Sequence, residues 1–456
     1  MLQLRHKQVL VVGLARSGVA AANLLLSQGA RVRVTDLKPA DQLKDELSQV
    51  RGEVETALGR HQVGDFLGAD LIVVSPGVPP DIEPLRKARA AGIRVLAEVE
   101  LAFQFLPGPI IGVTGSNGKT TTTSLIGRMF EEAHVAVAVA GNIGIPLTRI
   151  ALEPSVREVT SVVELSSFQL EMIQHFRAHI ALILNLTPDH LDRHGSLKSY
   201  ALAKQRILLN QTQQDWAVLN ADDELSLGMR AEAAGSVCLF SRRPLQEGVC
   251  VEEGQIVIRQ KGSTTSVTPA SEVAMRGGHN LENVLAATCA AHLSGLSLGA
   301  IRRTIRNFKG VEHRLERVAV HDGVSYYNDS KATNVESAKR ALQAFSRPVV
   351  LIMGGRDKSG DFEQLADLVK ERVRRLILIG EAAAKIAGAL GSSVPISEAE
   401  NLEQAVVQAG RSASRGDTVL LAPGCASFDM FDDYEQRGRE FKESVARFID
   451  HQESGH

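Results

Sequence analysis

The residues best suited to chemistry lie in the run Gly115-Ser116-Asn117-Gly118-Lys119-Thr120-Thr121. The apolar run from Ile110 to Val113 predicts a buried strand just before it, and Lys119 and Thr120 are expected to open a helix. Such a turn holds phosphate oxygens, because backbone N–H groups and the helix N-terminus carry partial positive charge and the lysine adds a full one. The Thr120 hydroxyl suits a magnesium ion that bridges phosphates. The run therefore predicts a nucleotide-binding loop, although Val113 stands where the strict phosphate-loop pattern has glycine. The alternative is a glycine-rich turn with a surface lysine.

Acidic and imidazole side chains follow two later strands of the same segment. Glu164 ends the predicted strand from Ser161, and His190 follows the apolar run from Ile180 to Leu186. Because parallel strands end at one edge of a sheet, these groups are expected to gather near the nucleotide loop. Glu164 is a candidate magnesium ligand. We favour a role for His190 in the site. The alternative is that this stretch is only a helix start capped by Thr187 or Asp189. The role of His194 stays open.

Further candidates are weaker when they are taken one at a time. Lys204 lies on a predicted helix from Ser199 to Leu209, where its composition suggests a solvated lysine. Asn280 and Asn283 are three residues apart at the start of an alanine-rich helix. This position suits either capping of the helix or hydrogen bonds to the edge of a nucleotide base. Near the C-terminus, Lys331, Lys358 and Ser427 follow predicted strands and could bind a small anion, or they are polar loop residues.

The N-terminal segment carries a second candidate nucleotide site. Gly13-Leu-Ala-Arg-Ser-Gly18 follows a predicted strand and fits the dinucleotide pattern only as G-x-A-x-x-G, and Asp36 ends the next strand. This pattern is weak, so a purely structural turn and a nicotinamide oxidoreductase are both considered. We expect a site for a nucleotide or its diphosphate at this helix N-terminus.

Strands alternate with helices along the whole chain, which predicts an α/β protein with parallel sheets. A chain of 456 residues suggests about three domains of roughly 150 residues each, and we divide it at 1–97, 98–311 and 312–456. The net charge of −2 argues against nucleic-acid binding, and no apolar run is long enough to insert into a membrane. The four scattered cysteines are typical of reduced thiols, so we expect a cytoplasmic protein.

Taken together, these motifs resemble the Mur ligase family from nearly one end of the chain to the other. The resemblance rests on the stretches Gly115–Thr120, Glu164-Leu-Ser-Ser-Phe-Gln-Leu170, Asp189–Arg193, Gly278-His-Asn280, His313-Arg314, Asn328-Asp-Ser-Lys-Ala-Thr-Asn334, Cys425-Ala-Ser-Phe428 and Glu435-Gln-Arg-Gly438. The second and sixth of these stretches single out the members that add D-glutamate. The resemblance implies a Rossmann-like N-terminal domain that binds UDP, a central phosphate-loop ATPase-type domain with a parallel sheet, and a Rossmann-like C-terminal α/β domain that binds the amino acid.

The resemblance also implies roles for individual residues. ATP is expected at Gly115 to Thr121, Asn280, Asn283, Arg314 and Asp329. Magnesium is expected at Thr120, Glu164, His190 and Lys204, with Lys204 carbamylated, and Lys119, Glu164, His190 and Lys204 are the expected catalytic set. Substrates are expected at Arg16, Ser17, Asp36, Ser75, Gly77, Asn142, Lys331, Thr333, Lys358, Ser427 and Tyr434. Leu37 and Lys38 differ from the polar pair expected after Asp36, and Tyr434 replaces a phenylalanine.

The activity that the resemblance implies is an ATP-dependent amide ligase. It would add D-glutamate to UDP-N-acetylmuramoyl-L-alanine through an acyl phosphate, in the synthesis of cytoplasmic peptidoglycan precursors. The expected partners are these small molecules, and we expect a monomer. A folylpolyglutamate-type ligase is the first alternative, but it should lack the N-terminal nucleotide domain. An oxidoreductase built on Gly13 to Gly18 and a scaffold protein without catalysis are the others.

Overall fold

The computed structural model describes residues 2–142, 144–155, 158–189, 191–275, 277–346, 348–357, 360–391 and 393–454, apart from the side chains of Leu191, Asp192, Glu336 and Ser454. The chain divides into two compact units, Met1–Phe308 and Lys309–His456. The first unit contains two sheets and the second contains one.

The first sheet of the first unit has five parallel strands in the order β3-β2-β1-β4-β5. Its central strands are apolar and buried throughout most of their length, as expected where helices cover both faces of a parallel sheet. The elements are β1 Gln8–Val12, α1 Arg16–Ser27, β2 Arg31–Asp36, α2 Lys44–Ser48, β3 Glu55–Leu58, α3 Val63–Leu67, β4 Leu71–Val74, α4 Glu83–Ala90, β5 Arg94–Ala97 and α5 Glu98–Phe103, with a short 3-10 turn at Ala40–Gln42.

The second sheet has nine strands in the order β14-β13-β12-β11-β10-β9-β6-β8-β7. It is parallel from β7 to β12, and β13 runs antiparallel to both of its neighbours. The strands are β6 Ile110–Thr114, β7 Val137–Gly141, β8 Thr160–Glu164, β9 Ile180–Ile183, β10 Trp216–Asn220, β11 Ser236–Ser241, β12 Gly248–Glu252, β13 Gln255–Gln260 and β14 Ser263–Pro269.

Helices connect and cover the strands of this second sheet. They are α6 Lys119–Glu132, α7 Leu147–Leu152, α8 Ser167–Glu171, α9 Leu191–His194, α10 Leu197–Gln205, α11 Glu224–Gly228, α12 Gly278–Leu293 and α13 Leu298–Asn307, with 3-10 turns at Arg206–Leu208, Met229–Glu232 and Ala270–Glu272. One cluster of buried apolar residues runs from Leu4 to Met229 and includes both sheets, which explains why they form a single unit. A second cluster packs α6 and α12 against the other central strands.

The second unit contains a six-stranded sheet in the order β15-β16-β20-β17-β18-β19, parallel except for the edge strand β15. Its elements are β15 Glu316–His321, β16 Val324–Asn328, α14 Val335–Gln343, β17 Val349–Gly354, α15 Ala366–Arg372, β18 Val373–Ile379, α16 Ala383–Leu390, β19 Ile396–Glu398, α17 Leu402–Ser412, β20 Thr418–Leu421 and α18 Tyr434–Ser454, with a 3-10 turn at Phe362–Leu365. Apolar clusters lie on both faces of this sheet.

The predicted α/β class with three sheets is confirmed, and the differences are local. β7 begins at Val137, because His134 has a left-handed φ of 56° and the chain is still turning there. The helix carrying Lys204 ends in a 3-10 turn at Arg206–Leu208. The antiparallel strands β13 and β14 were not anticipated for the central sheet.

Candidate active site

The loop after β6 is shaped by two glycines in conformations that other residues rarely adopt. Gly115 and Gly118 have φ angles of 149° and 81°. A Cβ atom at Gly118 would lie 2.1 Å from Oδ1 of Asn283 on α12. The loop therefore packs directly against α12, and Gly118 is required both for space and for backbone conformation.

Lys119 folds back over this loop. Its Nζ donates to the carbonyl oxygens of Gly115 and Ser116, each at 2.9 Å. Thr120 and Thr121 follow in the first turn of α6, where both are buried and no residue is acidic. The lysine charge and the positive end of the helix dipole thus lie together, an arrangement suited to an anion.

The segment after β9 holds the loop in place. The carbonyl of Asn185 accepts from the Ser116 amide at 2.8 Å, and its Oδ1 accepts from the Asn117 amide at 2.8 Å. The Ser116 hydroxyl donates to the Thr187 carbonyl and accepts from the Thr187 amide, both at 3.0 Å. These bonds hold the loop against the segment that follows β9.

Glu164 lies at the end of β8, paired in register with Val113 of β6. Its side chain is buried, and its Oε1 accepts from Nδ2 of Asn142 at 3.1 Å. Its Oε2 is buried and has no hydrogen-bond partner among the described residues. A buried carboxylate oxygen without a partner is unfavourable, and a divalent cation would satisfy it.

Lys204 is buried on α10 rather than solvated. It is 1% exposed, its Nζ donates to Oγ1 of Thr114 at 3.4 Å, and the amine lies 4.6 Å from the centre of the Tyr200 ring. Burial lowers the pKa of this amine well below its usual value, and the charge of Lys119 lowers it further. The carboxylates of Asp189 and Glu164 oppose that shift. Lys204 therefore lies in the same electrostatic environment as the nucleotide loop.

Asn280 and Asn283 lie in the first turns of α12. Oδ1 of Asn283 accepts from the Thr122 hydroxyl at 3.3 Å, and its Nδ2 donates to Oδ1 of Asn280 at 3.4 Å. Both amides are thus adjacent to the nucleotide loop. The structure brings together the loop, Glu164, Asn142, Lys204 and the two asparagines, whereas His190 lies outside the described residues.

In the N-terminal sheet, two of the predicted site residues bind the turn itself. Asp36 Oδ2 accepts from the Leu14 amide at 2.7 Å, and the Ser75 hydroxyl donates to the Gly13 carbonyl at 2.8 Å. A Cβ at Gly18 would lie 1.9 Å from that carbonyl oxygen, so α1 packs tightly on the turn. Of the other candidates, Arg16 and Gly77 are exposed and Ser17 is half-buried.

In the second unit, most of the described polar candidates follow β16 or β20, whereas Arg314 precedes β15. Asp329 is 7% exposed, and its Oδ1 accepts from the Leu315 amide at 3.2 Å. Burial raises the pKa of Asp329 to about 6, against the opposing charges of Arg314 and Lys331. Lys331 lies 5.5 Å from the centre of the Tyr434 ring.

Three further candidates belong to the second unit. The Thr333 amide donates to the Lys331 carbonyl at 2.8 Å, and Ser427 is buried. Lys358 lies outside the described residues.

The second unit also contains supporting residues to which sequence reasoning gave no role. Arg437 is fully buried and donates to Ser330 and to the carbonyls of Cys425 and Ala426, which joins the segments after β16 and β20 to α18. A Cβ at Gly438 would lie 2.1 Å from Nδ1 of His313. The stretch Glu435-Gln-Arg-Gly438 was noted in the sequence, but a buried arginine cannot be distinguished there from an exposed one.

Three family models match consecutive parts of this chain. They are a Mur ligase MurD-like N-terminal domain over residues 7–97, a Mur ligase middle domain over 113–291, and a Mur ligase glutamate ligase domain over 313–425. The UDP-N-acetylmuramoylalanine–D-glutamate ligase of Acidobacterium capsulatum is 49% identical over 448 residues, which cover 97% of each chain. The protein of the same name from Geotalea daltonii is 47% identical over 447 residues, covering 97% of this chain and 98% of its own. This chain belongs to the Mur ligase family.

Solved structures of Mur ligases share the fold at low sequence identity. MurF of Thermotoga maritima in complex with ADP superimposes with a TM-score of 0.58 at 16% identity, covering 99% of this chain and 96% of its own. UDP-N-acetylmuramate–alanine ligase MurC from the same organism gives a TM-score of 0.57 at 18% identity, covering 99% and 100%. These matches support the three-domain α/β architecture.

Mur ligases are ATP-dependent and generally use magnesium. The residues of this chain fit both groups, since the glycine-rich loop with Lys119 suits phosphates and the unpartnered Oε2 of Glu164 suits a hard cation. Across the described ranges, no helix has the length and apolar character needed to cross a membrane.

Proposed function

We propose that this Mur ligase joins D-glutamate to UDP-N-acetylmuramoyl-L-alanine at the expense of ATP, as a monomer in cytoplasmic peptidoglycan precursor synthesis. The observation that carries the proposal is 44–49% identity along nearly the whole chain to relatives named for that reaction. The geometry agrees with it, because a phosphate-binding loop and a buried carboxylate suited to a cation lie at one edge of the central sheet.

In the central segment, 98–311, the proposed nucleotide site is the loop Gly115 to Thr121 with Asn280 and Asn283 on α12. Lys119 would neutralise phosphate oxygens, and Thr120 and Glu164 would hold magnesium together with His190. When bound, magnesium offsets the negative charge of the phosphates. Arg314 and Asp329, from the second unit, are further proposed ATP contacts.

Lys204 is the proposed site of carbamylation. Its burial favours the neutral amine, whose lone pair can form a bond to the carbon of carbon dioxide. One C–O π pair then moves onto oxygen, and the nitrogen loses a proton to solvent. The product is an anionic oxygen ligand in place of an ammonium, which suits magnesium.

The segment 1–97 is the proposed UDP site. The turn from Gly13 to Gly18 presents the N-terminus of α1 to a diphosphate, and Asp36 and Ser75 keep that turn in shape. The proposed substrate contacts in this segment are Arg16, Ser17, Asp36, Ser75 and Gly77.

The remaining substrate contacts are proposed in the other two segments. Asn142, whose side chain donates a hydrogen bond to Glu164, would contact the muramoyl substrate. Within 312–456 the proposed D-glutamate contacts are Lys331, Thr333, Lys358, Ser427 and Tyr434.

The proposed reaction has two steps. A carboxylate oxygen of UDP-N-acetylmuramoyl-L-alanine attacks the γ-phosphorus of ATP, and the bond to ADP breaks to give an acyl phosphate. The neutral amine of D-glutamate then attacks the acyl carbon, and the tetrahedral intermediate expels phosphate as the nitrogen loses a proton. Lys119 lowers the repulsion between the two anions of the first step. His190 and a phosphate oxygen are both candidates for accepting the proton.

Phosphate release from ATP tests this function. It should require both UDP-N-acetylmuramoyl-L-alanine and D-glutamate, and L-glutamate should not replace D-glutamate. Glu164→Gln should lower the rate by about a hundredfold or more, as expected for loss of a group that stabilises charge in the transition state. Glu153→Gln, which changes an exposed glutamate of the same segment, is the matched control. Phosphate release that depends on a folate-type polyglutamate substrate and is unaffected by UDP-N-acetylmuramoyl-L-alanine would refute the proposal.

A further inference from the structure

A chain of polar side-chain contacts lies beside the candidate active site and takes no part in the function proposed above. His194 ends α9, and its side chain is 2% exposed. Its Nε2 lies 3.0 Å from the Ser167 hydroxyl, and its Nδ1 lies 3.2 Å from Oε1 of Glu171. We call Ser167, His194 and Glu171 the histidine chain.

The order of groups in the histidine chain is that of a serine hydrolase triad, but its surroundings exclude that chemistry. Ser167 is 2% exposed, so a substrate cannot reach its hydroxyl. Both nitrogens of the imidazole lie within hydrogen-bond reach of a partner, which fixes the ring in one orientation. An orientation held from both ends is typical of a positioning residue.

The imidazole contacts the aromatic ring against which Lys204 lies. The ring centres of His194 and Tyr200 are 5.2 Å apart with an interplanar angle of 59°, and His194 also stacks on Phe168 at 5.5 Å and 12°. Tyr200 is 1% exposed, and the Lys204 amine lies 4.6 Å from the centre of its ring. Contacts thus run without a break from Glu171 through His194 and Tyr200 to Lys204.

We propose that His194 is a positioning residue for Lys204, acting through the ring of Tyr200. This inference rests on the proposed carbamylation of Lys204. A lysine side chain has four rotatable bonds, and holding its amine in one place costs rotamer entropy. By fixing the ring that packs against this side chain, the histidine chain reduces the cost of presenting the amine to carbon dioxide.

The test measures carbamate formation directly and does not depend on turnover. The full-length protein is equilibrated with ¹³C-bicarbonate at a series of concentrations, and the carbamate signal is followed by ¹³C NMR. His194→Ala and Tyr200→Leu should each raise the half-saturating bicarbonate concentration about tenfold, the effect expected on losing roughly one buried hydrogen bond or ring contact. His175→Ala is the matched control, since His175 is an exposed histidine of the same unit and should leave the value unchanged.

The double variant separates positioning from general damage to the structure. If both residues act through one contact, His194→Ala with Tyr200→Leu should shift the value no further than Tyr200→Leu alone. Tryptophan fluorescence and ATP binding verify that each variant is folded. Should His194→Ala not fold, Glu171→Gln, which leaves the imidazole in place, is expected to shift the bicarbonate value in the same direction.

The possible failures are distinguishable. A carbamate signal that is present in the wild type and equally strong in folded His194 and Glu171 variants would overturn the positioning role alone. Additive effects in the double variant would also overturn it. A wild type without any carbamate signal would refute the carbamylation of Lys204, and with it this inference, while leaving the ligase activity to be judged by phosphate release.

Discussion

Replacing Asp329 by asparagine should stabilise the second unit at neutral pH while impairing catalysis. Asp329 is 7% exposed, and burial raises the pKa of its carboxyl from 3.8 to about 6. Between these two pH values the folded protein holds a proton that the unfolded chain has released. The contribution of Asp329 to the free energy of unfolding therefore falls as pH rises through that window and is constant above it.

The size of the effect follows from the shift. A difference of about two pH units corresponds to about 3 kcal/mol, since each unit is worth roughly 1.4 kcal/mol. Asparagine keeps an oxygen that can accept the Leu315 amide and carries no charge to bury. The Asp329→Asn variant should thus match the wild type below pH 4 and exceed it by up to about 3 kcal/mol at pH 7.

The assay must report on the second unit. The single tryptophan, Trp216, lies in β10 of the first unit, so its fluorescence does not serve. Hydrogen exchange of peptides from β16 and β20, measured in urea, compares the variant with the wild type at each pH. A stability difference that is independent of pH between 4 and 7 would refute the reasoning. Phosphate release by the variant should fall, because Asp329 is also a proposed ATP contact.

Three further substitutions test other parts of the structure. Gly118→Ala should lower the free energy of unfolding of the first unit, measured by tryptophan fluorescence, by about 1–3 kcal/mol. Adding Asn283→Ala should restore only the part of this loss that comes from overlap between the new Cβ and Asn283, because the backbone φ at residue 118 stays positive. Lys204→Met should raise the free energy of unfolding of the first unit by about 1 kcal/mol or more, because it removes a buried amine. The same variant should lose phosphate release. A variant less stable than the wild type would contradict the argument from burial. Gly438→Ala should destabilise the second unit by about 1–3 kcal/mol in urea-dependent hydrogen exchange, because its Cβ would overlap His313, and an unchanged exchange rate would contradict this.

The sequence was most informative where the structure depends on a short run of neighbouring residues. The apolar run before Gly115 and the lysine after Gly118 predicted a strand, a turn and a helix, and the structure has β6, the loop and α6 in those places. Periodicity and breakers were sufficient for this, because the signals are local.

Properties that depend on contacts between distant residues could not be predicted in this way. Lys204 looked solvated by composition, and its burial depends on Thr114 and Tyr200, which no local pattern connects to it. The histidine chain joins α8 to α9 across 27 residues, and the pairing of Ser167 with His194 exists only in the folded protein. The resemblance to the Mur ligases gave Lys204 its predicted role, whereas spacing gave none.

The most direct test of the central claim is the mass and stereochemistry of the product. The protein is incubated with ATP, magnesium and UDP-N-acetylmuramoyl-L-alanine, together with D-glutamate or L-glutamate in separate reactions. We expect a single new nucleotide, heavier by one glutamyl residue, to form with D-glutamate and with ATP consumed in equal amount. Equal incorporation of L-glutamate, or ATP hydrolysis without a heavier nucleotide, would contradict the assignment.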